Sequence, residues 1–351
     1  MKSIFIGKKK VNYGLRPFIV AEAGVNHNAR LDLALQLIDA AAYAGADAVK
    51  FQTFRPNQVV TAAGEMADYQ KRNLGKSESQ LAMVKKLELA EKHWPKLVER
   101  AKERGIIFFS TPHGHIDSAD YLQQKLKVPA FKFGSGDLTN IPLLEHVAKF
   151  KKPMILGTGM ADLEEVKEAV EAIKKAGNSQ IVVLHCTTDY PLAPENVNLR
   201  AMQTMMRELG VLVGYSDHTL GPQTAVMATA MGACMIEKHL TLDNNLPGPD
   251  HVASMEPMEF KEMVKQIEKA AAILGSSQKK LLKCEKQYVS VARKSLVTAN
   301  KVKKGEKFTL KNLTVKRPGN GLLPKRLKEV VGKRATKAIP KDTVLTEEMI
   351  G

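Results

Sequence analysis

Short apolar runs recur along the first 275 residues of the chain, each bounded by glycine, proline or polar residues. Most neighbouring runs are separated by a stretch with the apolar spacing of an amphipathic helix, such as 163–177 or 257–275. Apart from one long interval, the runs begin every 23 to 31 residues. There are eight, namely FIVAEAG (18–24), DAVKFQT (47–53), IIFFSTP (106–112), AFKFGSG (130–136), PMILGTG (153–159), IVVLHCT (181–187), LVGYSDH (212–218) and MIEKHLT (235–241). Eight alternating strand–helix units predict a (β/α)8 TIM barrel over residues 1–275, with a doubly wound open sheet as the structural alternative.

The long interval follows the second predicted strand and covers residues 55–80. It is polar and has no strong helical or strand periodicity, so we expect a long loop there. Loops that follow barrel strands lie on the face where TIM-barrel active sites form. The interval is therefore expected to border an active site.

The pattern changes after residue 275. A polar connector is followed by the short β-like pieces SLVTA, LTVKRP, ATKAI and TVLTEE and by one amphipathic stretch, LPKRLKEVVGK. We predict a linker at 276–289 and a small, separate β-rich domain at 290–351. A domain of that size buries little core by itself, so we expect the linker or a second subunit to brace it.

The net charge of +16 lies almost entirely in this C-terminal part. From Ser276 onward there are 20 Lys and Arg residues against 6 Asp and Glu, whereas the first 275 residues hold 33 against 31. A basic domain suggests a polyanion such as nucleic acid as partner, or else a solvated basic surface. Single-strand binding needs stacking aromatic side chains, and only Tyr288 and Phe308 follow Ser276. We therefore expect no nucleic-acid partner.

The composition, with 44% hydrophobic and 26% charged residues, is typical of a soluble globular protein. The uncharged window between Asp217 and Glu237 contains His, Gln, Pro, Thr and Gly residues, which argues against a membrane span. The first residues contain only a short apolar run, too short for a signal-peptide core. Three unclustered cysteines suit a reducing compartment. These features predict a cytoplasmic protein with no membrane partner.

Each apolar run ends in polar or charged residues. In a TIM barrel, side chains at the C-terminal ends of the strands share one bowl, so charges there need not be buried unpaired. The eight endings supply Glu22, Lys50 with Gln52, Ser110 with Thr111, Lys132 with Ser135, Thr158, His185 with Thr187, Ser216 with His218, and Glu237 with His239. A structural role could explain any one of these polar residues. Eight strands that all end in polar residues indicate an active site.

Two lysines and several hydroxyl groups on neighbouring strands suit an anionic substrate that carries phosphate or carboxylate. His218 and His239 end the last two strands and could ligate one divalent metal ion, although two histidines do not by themselves fix a metal. Glu22 could act as an acid, a base or a water-orienting group, or else form an ion pair with Lys50 or Lys132. The residues alone leave these alternatives open.

Several segments resemble, in the same order, the sialic acid (N-acetylneuraminate) synthase family, which includes the legionaminate and pseudaminate synthases. They are VAEAGVNHN, DAVKFQTF, FFSTPH, FKFGSGD, LHCTTDYP, GYSDHTLG, IEKHLTLDNNLPGPDH and VKRPGNG. The resemblance runs from about Phe18 to the C-terminus. It implies a TIM barrel followed by an antifreeze-like (SAF) domain, which in this family crosses to the partner barrel in a domain-swapped homodimer.

The resemblance implies that phosphoenolpyruvate is joined to the open-chain aldehyde of an N-acetylmannosamine-type sugar, with loss of phosphate by C–O cleavage. The positions that match phosphoenolpyruvate contacts are Lys50, Thr111, Lys132, Ser135, Thr188 and Ser216. Gln52, Tyr190 and Asp250 match contacts to sugar hydroxyls, and Glu22 matches a carboxylate near the reacting sugar. The remaining matches are His218 and His239, as ligands of Mn²⁺ or Mg²⁺, and Arg317, which the partner's SAF domain would place over the N-acetyl group.

Two features depart from the N-acetylneuraminate enzymes of the family. Those enzymes often have Thr-Asn-X-Tyr where this chain has Thr-Thr-Asp-Tyr at 187–190, and the threonine pair is more like the legionaminate branch. Thr188 thus replaces an asparagine that contacts substrate. Arg293 and Lys294 stand where an aromatic residue can precede the SAF domain in bacterial sialate enzymes.

We therefore predict a nonulosonate synthase, a phosphoenolpyruvate-dependent transferase that forms a C–C bond. Its acceptor would be N-acetylmannosamine or the 2,4-diacetamido-6-deoxy analogue, giving N-acetylneuraminate or N,N'-diacetyllegionaminate plus phosphate. The alternative is another phosphoenolpyruvate-dependent deoxy-sugar-phosphate (aldulosonate) synthase. A phosphorylated aldose should require extra arginines in the bowl, and the strand ends offer lysines but no arginine.

Overall fold

The computed structural model describes residues 3–351, and its largest feature is a closed barrel of eight parallel strands. Each barrel strand pairs with the next along the chain, and the last pairs with the first. The strands are β1 (Ile4–Ile6), β2 (Lys9–Val11), the barrel strands β3 (Phe18–Gly24), β4 (Ala48–Thr53), β5 (Ile107–Pro112), β6 (Phe131–Phe133), β7 (Met154–Gly157), β8 (Ile181–His185), β9 (Leu212–Asp217) and β10 (Met235–His239), and then β11 (Ser295–Thr298) and β12 (Leu313–Lys316). The predicted (β/α)8 barrel is confirmed, and the doubly wound alternative is wrong.

Helices connect the barrel strands and cover them from outside. They are α1 (Leu31–Tyr43), α2 (Pro56–Val59), α3 (Asp68–Leu74), α4 (Gln80–Lys85), α5 (Trp94–Glu103), α6 (Ile116–Gln124), α7 (Ile141–Ala148), α8 (Leu163–Lys175), α9 (Arg200–Glu208), α10 (Gln223–Ala230) and α11 (Pro257–Leu274), with α12 (Val289–Ala292) and α13 (Leu327–Val330) after the barrel. In α8, Asp162 caps the first turn by accepting from the backbone N–H of Glu164 and Glu165, and the buried residues, which include Val166, Ala169, Val170 and Ile173, lie on one face of the helix. Within residues 3–351, no helix is long and apolar enough to span a bilayer.

The register of the barrel places the polar strand endings at similar heights. Nearly every residue of the eight strands is buried, as expected for parallel strands covered on both faces. Glu22 on β3 lies opposite Lys50 on β4 and also opposite His239 on β10. Ser216 on β9 lies opposite Glu237 on β10. Neighbouring strands therefore bring these groups to one rim.

A short N-terminal hairpin, β1 and β2, covers the other end of the barrel, and sequence reasoning did not predict it. Lys9 forms an ion pair with Asp47, just before β4. Tyr13 Oη donates to the Val211 carbonyl and accepts from the Val213 N–H, at the start of β9. The hairpin thus closes the amino-terminal end and leaves the carboxyl-terminal rim open.

The interval at 55–80 belongs to the long connection that the sequence predicted after the second barrel strand, but this connection contains short helices. It contains α2 and α3 and the start of α4, and we call the whole segment 54–87 the β4–α5 cap. Its apolar residues pack together with Val25 in a small cluster of Phe54, Met66, Met83 and Leu87, separate from the main core. The helices are too short to show a period, and long-range packing stabilises them instead. The predicted long connection beside the site is therefore present, and only its helices were not predicted.

The chain divides after Gly275 into a barrel unit and a second unit, Ser276–Gly351. In the second unit β11 pairs antiparallel with β12, and isolated bridges join Val302 to Ile339 and Val297 to Val344. This unit has its own apolar core, composed of Leu296, Val302, Phe308, Leu313, Leu322, Val330, Ala335, Ile339 and Leu345. The predicted β-rich C-terminal domain thus has a core, although a smaller one than that of the barrel.

Candidate active site

Seven of the eight barrel strands, or the loops after them, line a small polar cavity at the C-terminal rim, which we call the inner bowl. Its lining residues are Glu22, Lys50, Gln52, Thr111, His113, Lys132, Gly134, Ser135, Cys186, Tyr190, Ser216, His218, Glu237 and His239. An adjoining cavity of about 240 Å³, the outer chamber, shares Gln52, His113, Ser135, Tyr190 and His239 with the bowl. The two cavities therefore form one continuous site under the β4–α5 cap.

Glu22 and Lys50 form a buried ion pair on the floor of the inner bowl. Gln52 Nε2 donates to Glu22 Oε1 at 3.1 Å, and Lys50 Nζ lies 3.4 Å from Thr111 Oγ1. Burial raises the pKa of Glu22 although the Lys50 ammonium opposes the shift. Burial alone would lower the pKa of Lys50, but Glu22 and Glu237 raise it, so the ammonium stays charged. The ion pair that the sequence left open as an alternative for Glu22 is present.

Glu237 connects the two lysines of the bowl. Lys132 Nζ lies 3.2 Å from Glu237 Oε1, and Lys50 Nζ lies 3.8 Å from Glu237 Oε2. Ser216 Oγ donates to Glu237 Oε1 at 3.0 Å. Burial by itself would raise the pKa of Glu237, but Lys132 and Lys50 lower it to about 2. Glu237 is therefore an anion that holds both ammonium groups inside one cavity.

The two predicted metal ligands lie close together in the bowl. The ring centroids of His218 and His239 are 5.8 Å apart, and the Tyr190 ring packs on His218 at 4.1 Å. His218 Nδ1 contacts the Thr187 carbonyl at 2.6 Å, which leaves Nε2 as its free lone pair. Burial lowers the pKa of His218 to about 4, and burial together with His218 lowers that of His239 well below its usual value. Both rings are therefore neutral at pH 7, the form in which imidazole binds a metal ion.

These rings fit a divalent ion as a two-ligand site. His239 Nδ1 is buried and has no hydrogen-bond partner among the described residues, so this nitrogen is available to a ligand. Within residues 3–351 no group of three or more His, Cys, Asp and Glu residues is arranged to hold a metal. Any ion held here would therefore depend on substrate or water for its remaining ligands.

A buried ion pair on the outer side of the same strands fixes the two histidines. Successive side chains of a strand point to opposite faces, so Asp217 and Lys238 point away from the bowl. Lys238 Nζ lies 2.7 Å from Asp217 Oδ2 and donates to the Thr219 carbonyl at 2.6 Å. Both charged groups are essentially inaccessible to solvent. The pair ties β9 to β10 directly beside His218 and His239.

Hydroxyl groups and a backbone amide meet at one side of the bowl. Ser135 Oγ accepts from the Gly159 N–H at 2.9 Å and lies 3.3 Å from Cys186 Sγ. Thr188 Oγ1 is buried without a partner. A Cβ at Gly159 would come within 2.2 Å of Thr188 Oγ1, so only glycine fits there. This corner offers neutral hydrogen-bonding groups beside the lysines.

The outer chamber combines an apolar wall with polar side chains on its other sides. The apolar wall comes mainly from the β4–α5 cap and includes Val59, Val84 and Leu87. Asp250 and Tyr190 lie on other parts of the lining. Burial and the nearby Glu22 raise the pKa of Asp250 to about 7. The chamber therefore suits a neutral molecule with both hydroxyl and apolar groups.

Comparison with known proteins identifies the family. The sequence model of the NeuB family matches residues 37–279, and that of the SAF domain matches residues 293–351. The chain belongs to the NeuB family. Two curated relatives are N,N'-diacetyllegionaminic acid synthases. The one from Campylobacter jejuni is 46% identical and covers 95% of this chain and 99% of the relative, and the one from Legionella pneumophila is 44% identical and covers 97% and 98%.

Solved structures agree with this NeuB assignment. The structure titled N-acetylneuraminic acid (sialic acid) synthetase from Leptospira borgpetersenii is 34% identical, with a TM-score of 0.72, and the match covers 82% of this chain and 95% of that one. The predicted family, the predicted C-terminal SAF domain and the predicted enzyme class are confirmed. This NeuB protein is a nonulosonate synthase.

The NeuB structure brings together twelve of the thirteen residues that the sequence assigned to the site. Ten line the inner bowl, and the outer chamber adds Thr188 and Asp250. The thirteenth, Arg317, lies in the second unit, where it is exposed and its Nε donates to the Ala292 carbonyl at 3.1 Å. Its insertion into a partner barrel stays a prediction.

Some polar strand endings of the NeuB barrel do not line the bowl. Ser110, Thr158 and His185 each hydrogen-bond a backbone carbonyl at 2.9 Å, which is a structural role. Conversely, Glu237 and His113 line the bowl, although the sequence gave them no role. Glu237 lies two residues before His239, so their shared face of β10 was the signal that could have identified it.

Proposed function

We propose that this nonulosonate synthase joins phosphoenolpyruvate to the open-chain aldehyde of the 2,4-diacetamido-6-deoxy analogue of N-acetylmannosamine. The products would be N,N'-diacetyllegionaminate and phosphate. The observation that supports this most is the composition of the outer chamber. Among its described lining residues there is no Lys or Arg, and most of its cap-side wall is apolar. Such a chamber suits a neutral, deoxygenated and acylated sugar better than a sugar phosphate.

The inner bowl would hold phosphoenolpyruvate. Lys50 and Lys132 are buried ammonium groups within one cavity, and charge-assisted hydrogen bonds to phosphate and carboxylate are strongest where water is excluded. Thr111, Ser135 and Ser216 would orient the same anion through their hydroxyl groups. Glu237 would keep the two ammonium groups at a fixed spacing when substrate is absent. We propose that Thr188, whose hydroxyl has no protein partner, also binds substrate.

His218 and His239 would hold the divalent ion, Mn²⁺ or Mg²⁺. Both imidazoles are neutral at pH 7 and line the same cavity as the lysines. A bound ion of this kind polarises an aldehyde oxygen and can position water. Tyr190 packs against His218 and would keep its ring oriented towards the acceptor.

Glu22 would move the proton that the reaction requires. Carbon 3 of phosphoenolpyruvate forms a bond to the aldehyde carbon, and the aldehyde oxygen then needs a proton. Water adds at carbon 2 and releases one proton, and phosphate leaves with the bridging oxygen. Burial raises the pKa of Glu22, which favours uptake of a proton by its carboxyl, and Lys50 and Gln52 fix its orientation. Gln52 and Asp250 would bind hydroxyl groups of the sugar.

The assembly is part of the proposal. We propose a domain-swapped homodimer in which Arg317 of one copy reaches the acceptor in the bowl of the other. The exposed position of Arg317 within its own unit leaves the guanidinium accessible for this role. We also propose a cytoplasmic location, because all three cysteines are free thiols in the structure.

Phosphate release with three acceptors tests the proposal. Purified protein with phosphoenolpyruvate and Mn²⁺ is given N-acetylmannosamine, its 6-phosphate or the 2,4-diacetamido-6-deoxy analogue. We expect the highest kcat/KM with the diacetamido sugar, a lower value with N-acetylmannosamine, and little turnover of the phosphate. A preference for a phosphorylated aldose would contradict the proposal and favour an aldulosonate synthase.

A further inference from the structure

The β4–α5 cap is attached to both loops that carry predicted sugar contacts. Asn73, in α3, donates from Nδ2 to the Tyr190 carbonyl at 3.1 Å and to the Pro249 carbonyl at 2.7 Å. Tyr190 is itself a predicted sugar contact, and Pro249 immediately precedes Asp250. The Tyr69 ring, also in α3, lies 4.9 Å from the Tyr190 ring. The cap is therefore connected to the loops of the proposed acceptor site.

The wall that the cap presents to the outer chamber is apolar and incompletely buried. Val59 in α2 and Val84 in α4 are half-buried, and both side chains line the chamber. Leu87 and Met83 belong to the same wall and also pack in the cluster beneath it. Half-buried apolar side chains in a concave site gain stability when an apolar ligand group covers them.

On the basis of the proposed function, we propose that Val59 and Val84 determine acceptor choice by receiving a methyl group of the sugar. The 2,4-diacetamido-6-deoxy acceptor has a methyl group at carbon 6 where N-acetylmannosamine has a hydroxymethyl group. A hydroxyl against these valines would lose its hydrogen bonds to water and gain none from them. Discrimination by one such apolar contact is about 10-fold to 100-fold in kcat/KM.

The test replaces each valine by threonine, which keeps the shape and adds one hydroxyl group. The variants Val59→Thr and Val84→Thr are compared with Val98→Thr, a half-buried valine on α5 that does not line the chamber. For at least one chamber variant we expect the ratio of kcat/KM for the diacetamido sugar over N-acetylmannosamine to fall about 10-fold. The KM for phosphoenolpyruvate and the thermal midpoint should stay near those of Val98→Thr.

The outcomes separate this inference from the proposed function. An unchanged acceptor ratio in both folded, active chamber variants would overturn the inference and leave the proposed function intact. Equal loss of kcat/KM for both acceptors would also overturn it, because a general defect is not a change of specificity. Wild-type protein that uses neither sugar would overturn the proposed function and this inference with it. Having two chamber variants keeps the test valid if one of them fails to fold.

Discussion

At the scale of single residues, burial of the Asp250 carboxyl group in the site makes the stability of the protein depend on pH. It is buried at the junction of the chamber with the loop after β10, and burial together with Glu22 raises its pKa to about 7. In the unfolded chain an Asp carboxyl ionises near its ordinary value of about 4. Between these two values the unfolded chain is ionised while the folded protein keeps the proton. Because the folded protein binds this proton more tightly than the unfolded chain does, Asp250 makes the free energy of unfolding fall as pH rises from about 4 to 7.

Asp250→Asn should remove this dependence. The amide has nearly the same shape as the protonated carboxyl but cannot ionise. We expect the free energy of unfolding of the variant, relative to wild type, to increase by about 2–3 kcal/mol between pH 5 and pH 8. Denaturant unfolding at the two pH values measures it, with the exposed Asp68→Asn as control. Equal pH dependence in Asp250→Asn and wild type would show that the carboxyl is not buried as described.

At the scale of elements, the sequence did not predict the helices of the β4–α5 cap or the N-terminal hairpin. The barrel strands were predictable because each is a short apolar run whose burial on both faces leaves a clear pattern. The cap helices have four to seven residues and no period, and contacts distant in sequence, such as Asn73 with Pro249, hold them in place. Local pattern cannot reveal such contacts.

Within the site, too, local sequence pattern predicted some features, whereas contacts between residues distant in sequence determined others. Most polar strand endings were correctly placed in one bowl because barrel topology determines where C-terminal strand ends lie. Ser110 and His185 point away from the bowl because Thr111 and Cys186, their neighbours along the strands, line it, and the residue types alone did not show which of two adjacent residues faces inward. Glu237 received no role, although it contacts both lysines, because those contacts depend on three separate strands.

Asn73→Leu should loosen the cap without unfolding the barrel. The variant removes the Asn73 donor from the Tyr190 and Pro249 carbonyls, so the cap no longer fixes the spacing between Tyr190 and Asp250. We expect the KM for the sugar acceptor to rise about 10-fold, since each lost hydrogen bond costs about 1 kcal/mol. The KM for phosphoenolpyruvate, which binds deeper, should change little. Asn57→Leu, an exposed position on α2, is the matched control. Equal increases in both KM values would contradict a role confined to the acceptor.

At the scale of the whole molecule, the barrel unit and the second unit differ in charge and carry separate cores. Nearly all of the net charge of +16 follows Ser276, yet the second unit supplies only one residue, Arg317, to the predicted site. If Arg317 serves the partner's bowl, a barrel without its partner's tail is an incomplete enzyme. Oligomeric state and catalysis would then be linked, because each bowl would need a residue from the other copy.

Heterodimers of two impaired variants test this link. Lys132→Met disables the bowl, and Arg317→Ala removes the predicted arginine, so each homodimer should have low activity. Co-expression with two tags yields heterodimers in which the intact bowl of the Arg317→Ala chain receives Arg317 from the other chain. We expect about half of the wild-type activity per dimer, from one complete site of two. Heterodimers no more active than the two homodimers would contradict the swap.

The central claim is that the bowl condenses phosphoenolpyruvate with a sugar aldehyde and expels phosphate by C–O cleavage. The direct measurement uses phosphoenolpyruvate with oxygen-18 in the bridging C–O–P position, together with Mn²⁺ and the diacetamido sugar. Mass spectrometry then follows the label in both products. The account predicts a nonulosonate without label and inorganic phosphate that carries one labelled oxygen. Label retained in the sugar product, or phosphate released without any condensed product, would contradict it.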